Sequence, residues 1–476
     1  MGIRSGKEFI ESLRDGRTIY AAGERIKDVT AHPPFQGVVA TLASLYDLQH
    51  EHPEELSFRS PTSSDRVAAS FLMAGSVEEV EWRIRAEQMR ADFTYGLMGR
   101  MPDFCNALLT DVASGASDLG VRDPRFGENM RRYHEECRER DWCLTHTLLD
   151  PQVDRSRGPA EQSDPYLVLR VVRETAGGVV VRGGKMLSTL APFANELWVG
   201  PFYPRRAGEE DYTLCFAIPC SAPGLKFICR EPYDTGRSDF DRPLTSHYDE
   251  EDSLAVFDDV TVPWERMFIY RDIAIFNSIL VRRPGYAQLQ GCIRGLAKLK
   301  LLAGLACQIG EAIGRTDAIH VQAQLGELVA NVELVGGLVR AAAQEVAAGA
   351  RERLAHRSIA ATLWVLIPQC QVRAIQVIRE LSGSGLIMTP SGKDFANPEI
   401  AGYLEKYLRG KDVGARDRVQ LFKLAWDMIG EQFGSRQLQY EWFYSGDPYF
   451  TRQRFYRSPL VQEYKDIVTR LLSGCK

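Results

Sequence analysis

Several common sequence signals are missing from this chain of 476 residues. Its first residues, MGIRSGKEFIESLRDG, contain no apolar stretch of signal-peptide length. No run of about 18 apolar residues occurs, so the sequence predicts no membrane span. Acidic and basic residues nearly balance, at 63 and 58, and the net charge of -5 gives no electrostatic reason to expect nucleic-acid binding. These absences favour a cytoplasmic protein that binds neither membrane nor nucleic acid.

The ten cysteines lack the spacing of a metal site. None forms a CxxC pair, and none stands at zinc-ligand spacing from histidine. Most lie among apolar residues, as Cys307 does in LLAGLACQIG. Such surroundings are typical of buried, reduced thiols in a cytoplasmic protein. We therefore expect reduced cysteines and no metal site.

What is present is a change of pattern along the chain. Residues 1–140 are mainly helical in pattern, and one predicted helix opens with Ser76 followed three residues later by Glu79, as in a capping box. Residues 141–272 are β-rich, with a hairpin turn predicted at Gly177 and Gly178. Short strands broken by proline and glycine favour a closed or packed antiparallel sheet there.

Residues 273–476 return to helix. Apolar residues recur at intervals of three and four from Leu289 to Ile309, and two further long helices are predicted over 323–354 and 358–385. The last of these should stop at Gly383. Wide apolar faces indicate a helical bundle that also packs against other subunits. The predicted domains are therefore an N-terminal helical domain, a β domain and a C-terminal bundle.

Motifs in a fixed order connect the chain with an enzyme family. They are MGRMPDFCNA (98–107), LTHTLLDPQVDRS (144–156), GGKMLSTLAP (183–192), AVFDDVTVPWERMFIYRD (255–272), and the segments 385–400, 407–436 and 438–448. Together these motifs resemble the oxygenase component of the 4-hydroxyphenylacetate 3-monooxygenase family, two-component flavin-dependent monooxygenases with an acyl-CoA dehydrogenase-like fold. The resemblance implies an α+β chain with an N-terminal helical domain, a central β-barrel and a C-terminal four-helix bundle. It also implies a homotetramer or homodimer.

The resemblance also implies a chemistry. In this family, reduced FAD reacts with O₂ to give a flavin hydroperoxide that hydroxylates an aromatic ring. The expected cofactor is therefore reduced FAD, the co-substrate is O₂, and the substrate is a phenol hydroxylated ortho to its OH. No GxGxxG follows a predicted strand, so the chain has no evident nicotinamide site. A separate flavin reductase is expected to supply the reduced flavin.

Two residues match the family's catalytic positions. His146, in CLTHTLLD, is as easily a packed core histidine by itself, although a side chain of near-neutral pKa also suits a base. Arg100 by itself could be a loop residue paired with Asp103. With the motifs in place, His146 is predicted to act as base or hydrogen-bond partner of the phenol. Arg100 is predicted to stabilise the phenol's oxyanion.

Three further positions are predicted to contact substrate. The family usually has tyrosine where this chain has Phe104, so 4-hydroxyphenylacetate itself is in doubt as the substrate. Arg205 and Arg206 lie in a loop that varies in the family near the substrate. They are predicted to hold a carboxylate or a carrier-attached group. The alternative for both is a solvated turn that faces Glu209 and Glu210.

Seven residues are predicted to contact FAD. On a strand, Thr145 and Thr147 share one face and His146 points to the other. The stretch LSGSGLIMTPSG has glycines that let the backbone approach a phosphate or an adenine, although a helix end and turn explain it equally. The predicted contacts are Thr145, Thr147, Gln152, Arg155, Thr189, Gly383 and Gly385.

Other activities stay open at this level. They include oxidation of a para-substituted phenol with loss of the substituent, and N-hydroxylation of an amine. An acyl-CoA dehydrogenase-like flavoenzyme would need a carboxylate base over the flavin, and the sequence offers none to assign. The related iron–sulfur dehydratases need three cysteines and a histidine, but position 104 is Phe and no histidine occurs between 248 and 319. The substrate could be a free phenolic acid, an amino acid, a carrier-tethered residue or a secondary-metabolite ring.

Overall fold

A computed structural model describes residues 2–281, 285–347 and 359–474. The chain forms two compact units, Met1–Arg237 with Thr245–Gly291, and Ser238–Leu244 with Cys292–Lys476. The first unit combines helices with all of the described strands. The chain is thus mixed α and β, as predicted, while the division into three domains stays a prediction.

Along the chain, the helices of the first unit lie before, between and after its strands. Ser76 accepts a hydrogen bond from the backbone N–H of Glu79, which confirms the predicted helix start. Pro102 begins another helix, where its missing N–H costs nothing. The helices are α1 (Gly6–Ser12), α2 (Gln36–Glu51), α3 (Pro53–Leu56), α4 (Val77–Phe93), α5 (Pro102–Ser114), α6 (Ala116–Leu119), α7 (Pro124–Arg140), α8 (Thr245–Tyr248), α9 (Ile273–Val281) and the start of α10 (Gly285–Ala312).

The strands lie in three sheets. A six-stranded sheet has the order β2-β1-β10-β11-β7-β6, a four-stranded sheet has the order β12-β9-β8-β5, and β3 pairs with β4. The strands are β1 (Ile19–Ala21), β2 (Glu24–Ile26), β3 (Ser57–Arg59), β4 (Arg66–Ala68), β5 (Leu144–Thr147), β6 (Arg170–Thr175), β7 (Gly178–Thr189), β8 (Glu196–Val199), β9 (Leu214–Pro219), β10 (Leu225–Cys229), β11 (Asp252–Pro263) and β12 (Met267–Tyr270).

Within the described ranges neither large sheet closes on itself, so the predicted closed β-barrel is not found. The two sheets pack face to face instead, because apolar side chains from both fill the space between them. Phe216 on β9 meets Phe257 on β11 edge to face, with ring centroids 6.1 Å apart. The predicted hairpin is confirmed between β6 and β7, where Thr175 pairs with Gly178 and the turn lies one residue earlier than expected.

The second unit is helical, as predicted for the C-terminal part. One predicted helix ends at Ser382, and Gly383 follows with a left-handed φ of 51°, which glycine adopts without strain. The predicted helix over 323–354 is observed to Ala347, and its last residues lie outside the described ranges. The helices are the rest of α10, α11 (Ile319–Ala347), α12 (Ile359–Ser382), α13 (Ala401–Leu408), α14 (Ala415–Ile429), α15 (Gln432–Phe443), α16 (Pro448–Tyr456) and α17 (Leu460–Gly474).

Two observations bear on the cellular setting. By length and composition, the helical segment Ile359–Leu386 is apolar enough to cross a membrane, but half of its apolar window is buried inside the protein. Core helices that are mostly buried inside a protein pass the same test of length and composition. The nine described cysteines are free thiols, and all except Cys307 are buried. The predicted burial is thus confirmed for the described cysteines other than Cys307.

Candidate active site

Arg100, Phe104 and His146 form one cluster in the first unit. The guanidinium carbon of Arg100 lies 4.3 Å from the centroid of the Phe104 ring. The Phe104 ring in turn lies 5.8 Å from the His146 ring at an angle of 54°. Arg100 lies in the turn just before α5, and Phe104 lies in the first turn of that helix. The structure therefore brings together three residues that the sequence assigned to one site.

His146 lies on β5, the edge strand of the four-stranded sheet, opposite Trp198 of the parallel strand β8. Its side chain is only 8% exposed, and Nδ1 has no hydrogen-bond partner among the described residues. Burial, assisted by the positive charge of Arg100, holds the pKa of His146 well below its ordinary value. The imidazole is therefore neutral at physiological pH, with one nitrogen free to bind a further group.

The opposite face of β5 carries a chain of hydroxyl contacts. Thr145 donates to the backbone carbonyl of Thr189, and the Thr189 hydroxyl donates to Asp252 over 2.6 Å. Thr147 and Ser188 are fully buried, and their hydroxyls have no partner among the described residues. A buried hydroxyl without a partner costs about 1–3 kcal/mol. The hydroxyls of Thr147 on β5 and Ser188 on β7 are therefore available to a ligand with polar edges.

The backbone is strained where these hydroxyls lie. Leu187 and Leu190 flank Ser188 and Thr189 with left-handed φ values of 65° and 69°, and Glu251 opposite has a φ of 57°. Each such conformation costs about 1–3 kcal/mol for a residue other than glycine, and such residues cluster at functional sites. The N–H of Leu190 donates to the carbonyl of Glu251 over 3.0 Å, which ties the two bends together. Sequence reasoning placed Thr189 here but missed Ser188.

Four consecutive acidic residues, 249–252, are buried next to this site. Such a run is normally solvated, so sequence reasoning gave it no role. Arg230 forms ion pairs with Asp249, Glu251 and Asp252. Glu250 accepts the backbone N–H of Arg100 over 2.6 Å. The acidic run thus anchors the segment that carries Arg100. Four consecutive acidic residues are unusual, and this was the one feature of the sequence that could have indicated a structural role for the run.

Arg205 lies in a buried ion cluster. Its guanidinium pairs with Asp150 over 2.7 Å, and Lys185 pairs with the other oxygen of the same carboxylate, also over 2.7 Å. The alternative of a solvated turn is therefore wrong for Arg205. Its partner Asp150 is 55 residues away in the sequence, so the local pattern around Arg205 could not reveal the pair. Arg206 is exposed and its backbone N–H donates to Glu209, which agrees with the turn. Two cations share one anion, so the cluster keeps one positive charge.

Removing the shared carboxylate should destabilise the fold. We expect Asp150→Asn to lower the free energy of unfolding by about 3–5 kcal/mol, because Arg205 and Lys185 would be left as buried, unpaired cations. Denaturant unfolding followed by circular dichroism measures this. Lys185→Met is the matched control: it leaves the Asp150–Arg205 pair intact and should cost clearly less. Equal losses in the two variants would contradict a shared ion cluster.

The same cluster predicts a pH dependence. Burial acts to raise the pKa of Asp150, but Lys185 and Arg205 outweigh it and hold the pKa below its ordinary value. A carboxyl with a depressed folded pKa contributes stability above its unfolded value, about 3.9, and that contribution is lost as the pH falls through the folded value. Asp150→Asn should therefore show a smaller loss of stability on acidification than the unaltered chain.

The remaining predicted flavin contacts lie in two other places. Gln152 and Arg155 are exposed and bind each other through their side chains in the loop after β5. Gly383 and Gly385 belong to the second unit, in the short turn that follows α12. A Cβ atom at Gly385 would lie 3.0 Å from the Phe422 ring, so close packing explains that glycine without a ligand. None of these four residues contributes to the Arg100–His146 cluster in the first unit.

Comparisons with known proteins agree with this geometry. Residues 5–269 match the family model for the N-terminal part of 4-hydroxyphenylacetate 3-hydroxylase, and residues 285–473 match the model for its C-terminal part. The oxygenase component of 4-hydroxyphenylacetate 3-monooxygenase from Thermus thermophilus is 38% identical over 98% of this chain and 97% of that protein. The oxygenase component of 4-nitrophenol 2-monooxygenase from a Rhodococcus species is 33% identical over 93% of this chain and 86% of that protein.

A solved structure extends the likeness to the fold. The oxygenase component of 4-hydroxyphenylacetate 3-monooxygenase, complexed with FAD and 4-hydroxyphenylacetate, superposes with a TM-score of 0.90 at 36% identity. The match covers 99% of this chain and 100% of that one. Fold and relatives together define a flavin-dependent aromatic monooxygenase. The chain belongs to the 4-hydroxyphenylacetate 3-hydroxylase family, as its motifs predicted.

Proposed function

We propose that this chain is an oxygenase component that uses reduced FAD and O₂ to hydroxylate a phenol ortho to its OH. The observation that carries the proposal is the buried cluster in which Arg100 and a neutral His146 both contact the Phe104 ring. A guanidinium and an imidazole next to each other can together bind a phenol oxygen as its negative charge develops. That charge makes the ring electron-rich, as aromatic hydroxylation requires.

Reduced FAD fits the residues that are present. The buried hydroxyls of Thr147 and Ser188 lack partners, and a flavin ring carries polar edges that would satisfy them. Thr145 and Thr189 would flank the ring, and Gln152 and Arg155 would reach its ribityl or phosphate portion, as the family resemblance implies. The contacts predicted at Gly383 and Gly385 rest on the family resemblance alone. When bound, the cofactor would supply the activated oxygen.

The protein's own groups have separate tasks. Arg100 holds the phenol oxygen and stabilises its negative charge. His146 accepts or donates a hydrogen bond at the same oxygen, and its neutral state leaves it able to take up the phenol proton. Burial of the cluster excludes water, which strengthens both interactions. The two side chains would thereby fix the ring carbon that is ortho to the OH in front of the cofactor.

We infer that the substrate carries an anionic group. Support comes from the ion cluster, where Arg205 and Lys185 share Asp150 and leave one positive charge to be balanced. Asp150 belongs to the segment that leaves β5 directly after His146, so both ends of a small phenolic acid would be bound by one stretch of chain. Arg206 is exposed and would act at the entrance. A carrier-tethered substrate is the alternative, since it would present a neutral thioester.

Arg205→Gln separates these substrates. We expect it to raise KM for phenols with a carboxylate by roughly 10- to 100-fold, since a charge-assisted hydrogen bond contributes about 1.5–3 kcal/mol. KM for neutral phenols such as 4-methylphenol should change little. The Asp150–Lys185 pair stays intact, so the variant should fold. An equal rise for neutral and acidic phenols would place Arg205 outside the substrate site.

The activity itself is tested by supplying reduced FAD and air. A panel of para-substituted phenols is incubated with the protein and a flavin reductase, and products are identified by mass spectrometry. We expect a catechol from at least one phenol with a carboxylate side chain. Release of the para substituent, or an N-hydroxylated product from an amine, would replace ortho hydroxylation by one of the alternative reactions. Hydrogen peroxide as the only product for every compound would contradict the proposal.

We further propose a separate flavin reductase as partner and a homodimer or homotetramer as the assembly. Support for the assembly comes from α17, where a row of large apolar side chains is exposed: Tyr464, Ile467, Val468, Leu471 and Leu472. Size-exclusion chromatography with light scattering measures the state directly. Free buried thiols support a cytoplasmic location. An acyl-CoA dehydrogenase-like arrangement with a C-terminal four-helix bundle stays part of the proposal.

A further inference from the structure

The site offers few groups that can manage a phenol proton. The Phe104 ring contacts both the Arg100 guanidinium and the His146 ring, and it presents only carbon atoms to them. A phenol oxygen in this cluster would therefore meet the guanidinium and one imidazole nitrogen. Guanidinium groups only donate hydrogen bonds, so the proton of a neutral phenol could go only to His146. Arg100 would at the same time repel the imidazolium that such a transfer creates.

The surrounding charges leave His146 a weak base. Arg100 is the charged group that acts on it, and together with burial it holds the pKa of His146 well below its ordinary value. On α5, burial raises the pKa of Asp103 and of the Cys105 thiol, so both resist ionisation. Glu250 is engaged with the backbone N–H of Arg100. The electrostatics of the cluster thus favour an incoming anion over a proton transfer inside the site.

The difference in pKa between a phenol and an imidazole decides between two routes: proton transfer to His146 inside the site, and uptake of a phenolate from solution. An ordinary phenol has a pKa of about 10 and an unperturbed imidazole about 6.5, and each unit of difference is a tenfold penalty on proton transfer. Proton transfer from phenol to an unperturbed imidazole is therefore disfavoured by more than roughly 10³. The lowered pKa of His146 disfavours it further. A phenolate from solution avoids it entirely, because Arg100 and a neutral imidazole N–H both stabilise an oxyanion.

We propose that this site takes up phenols that are already ionised in solution. Its substrates are therefore acidic phenols with an electron-withdrawing substituent, and Phe104 determines this preference because its ring offers no hydrogen-bonding group. The inference rests on the proposed function, because it assumes a phenolic substrate at Arg100 and His146. It goes further by assigning the ionisation state and the class of ring. His146 then acts mainly as a hydrogen-bond donor to the phenolate.

The first test observes the bound ligand without turnover. The chromophore 4-nitrophenol absorbs differently as phenol and phenolate, so its spectrum in the presence of excess protein and oxidised FAD reports the bound form. At a pH one unit below its solution pKa, we expect the bound ligand to be ionised. A bound ligand that remains neutral at that pH would overturn the inference.

The second test is the pH dependence of kcat/KM across phenols of different acidity. If phenolate is taken up from solution, kcat/KM rises through the solution pKa of each substrate, and the inflection moves with the substrate. One inflection at the same pH for all phenols would mean that an enzyme group removes the proton, which would overturn the inference. Failure of the proposed function looks different, because no phenol would then yield a hydroxylated product even where 4-nitrophenolate binds.

The third test adds a donor at position 104. Phe104→Tyr adds a hydroxyl to the ring that contacts both Arg100 and His146. One more hydrogen bond to the phenolate should raise kcat/KM for weakly acidic phenols by roughly 10- to 100-fold. Acidic phenols should gain much less. Phe104→Leu is the matched control, because it alters the ring without adding a donor. The same gain in the leucine variant, or no gain in the tyrosine variant, would refute the assignment to Phe104.

Discussion

Replacing His146 by alanine is expected to lower the rate of phenol hydroxylation by about 10²–10⁴, the usual contribution of a group that manages a proton or an oxyanion at the reacting atom. Oxidation of reduced FAD by O₂ should continue, because the proposed role of His146 is confined to the phenol oxygen. Rapid mixing of the reduced enzyme with oxygenated buffer and substrate separates the two events, and the ratio of catechol to hydrogen peroxide measures the loss of coupling.

The side chain that replaces His146 decides its role. Asparagine keeps an N–H close to the position of Nδ1, the nitrogen that has no partner in the described part of the chain. If His146 donates a hydrogen bond to a phenolate, His146→Asn should recover a large part of the lost rate. If it is a base, asparagine should be as inactive as alanine. Unchanged hydroxylation in the alanine variant would remove His146 from the mechanism.

Replacing Arg100 by methionine is expected to lower kcat/KM by about 10²–10³, as the loss of one oxyanion-stabilising group does in other enzymes. Methionine is similar in length and apolar, so it fills the space without the charge. The backbone N–H that binds Glu250 is retained, and the unfolding temperature should change little. Steady-state kinetics with several phenols measures the loss, which should be greatest for the least acidic phenols.

The Arg100 variant also has a predicted effect on pH. The positive charge of Arg100 helps to depress the pKa of His146, so its removal should let that pKa rise. His146 would then take up a proton at a higher pH, and the acid limb of the pH–rate profile should move to higher pH. Arg100→Lys is the control, because it keeps the charge but loses the planar fork. An acid limb that stays in place in both variants would contradict the electrostatic link between Arg100 and His146.

Local patterns allowed correct prediction of local structure. The start of α4 at Ser76, the β6–β7 hairpin and the end of α12 before Gly383 are each determined by residues close in sequence. The motif around His146 placed it with Arg100 and Phe104, and the structure shows the three in contact. The roles of Arg100 and His146 in phenol hydroxylation stay predictions.

Long-range pairing could not be predicted in the same way. Arg205 looked equally suited to a solvated turn, because its partner Asp150 is distant in sequence and shared with Lys185. The acidic run 249–252 resembled a solvated loop, yet Arg230 and the backbone of Arg100 bind its members in the interior. The arrangement of strands in two open sheets depends on which edges pair, and alternating apolar residues do not specify that.

The central claim is that a buried guanidinium and imidazole activate a phenol for attack by one oxygen atom of O₂. The most direct measurement uses isotopically heavy O₂, reduced FAD and an acidic phenol, with the purified protein and its His146→Ala variant compared side by side. The account predicts a catechol that carries one heavy oxygen with the unaltered protein, and mainly hydrogen peroxide with the variant. A product whose new oxygen comes from water, or equal catechol yields from both proteins, would contradict it.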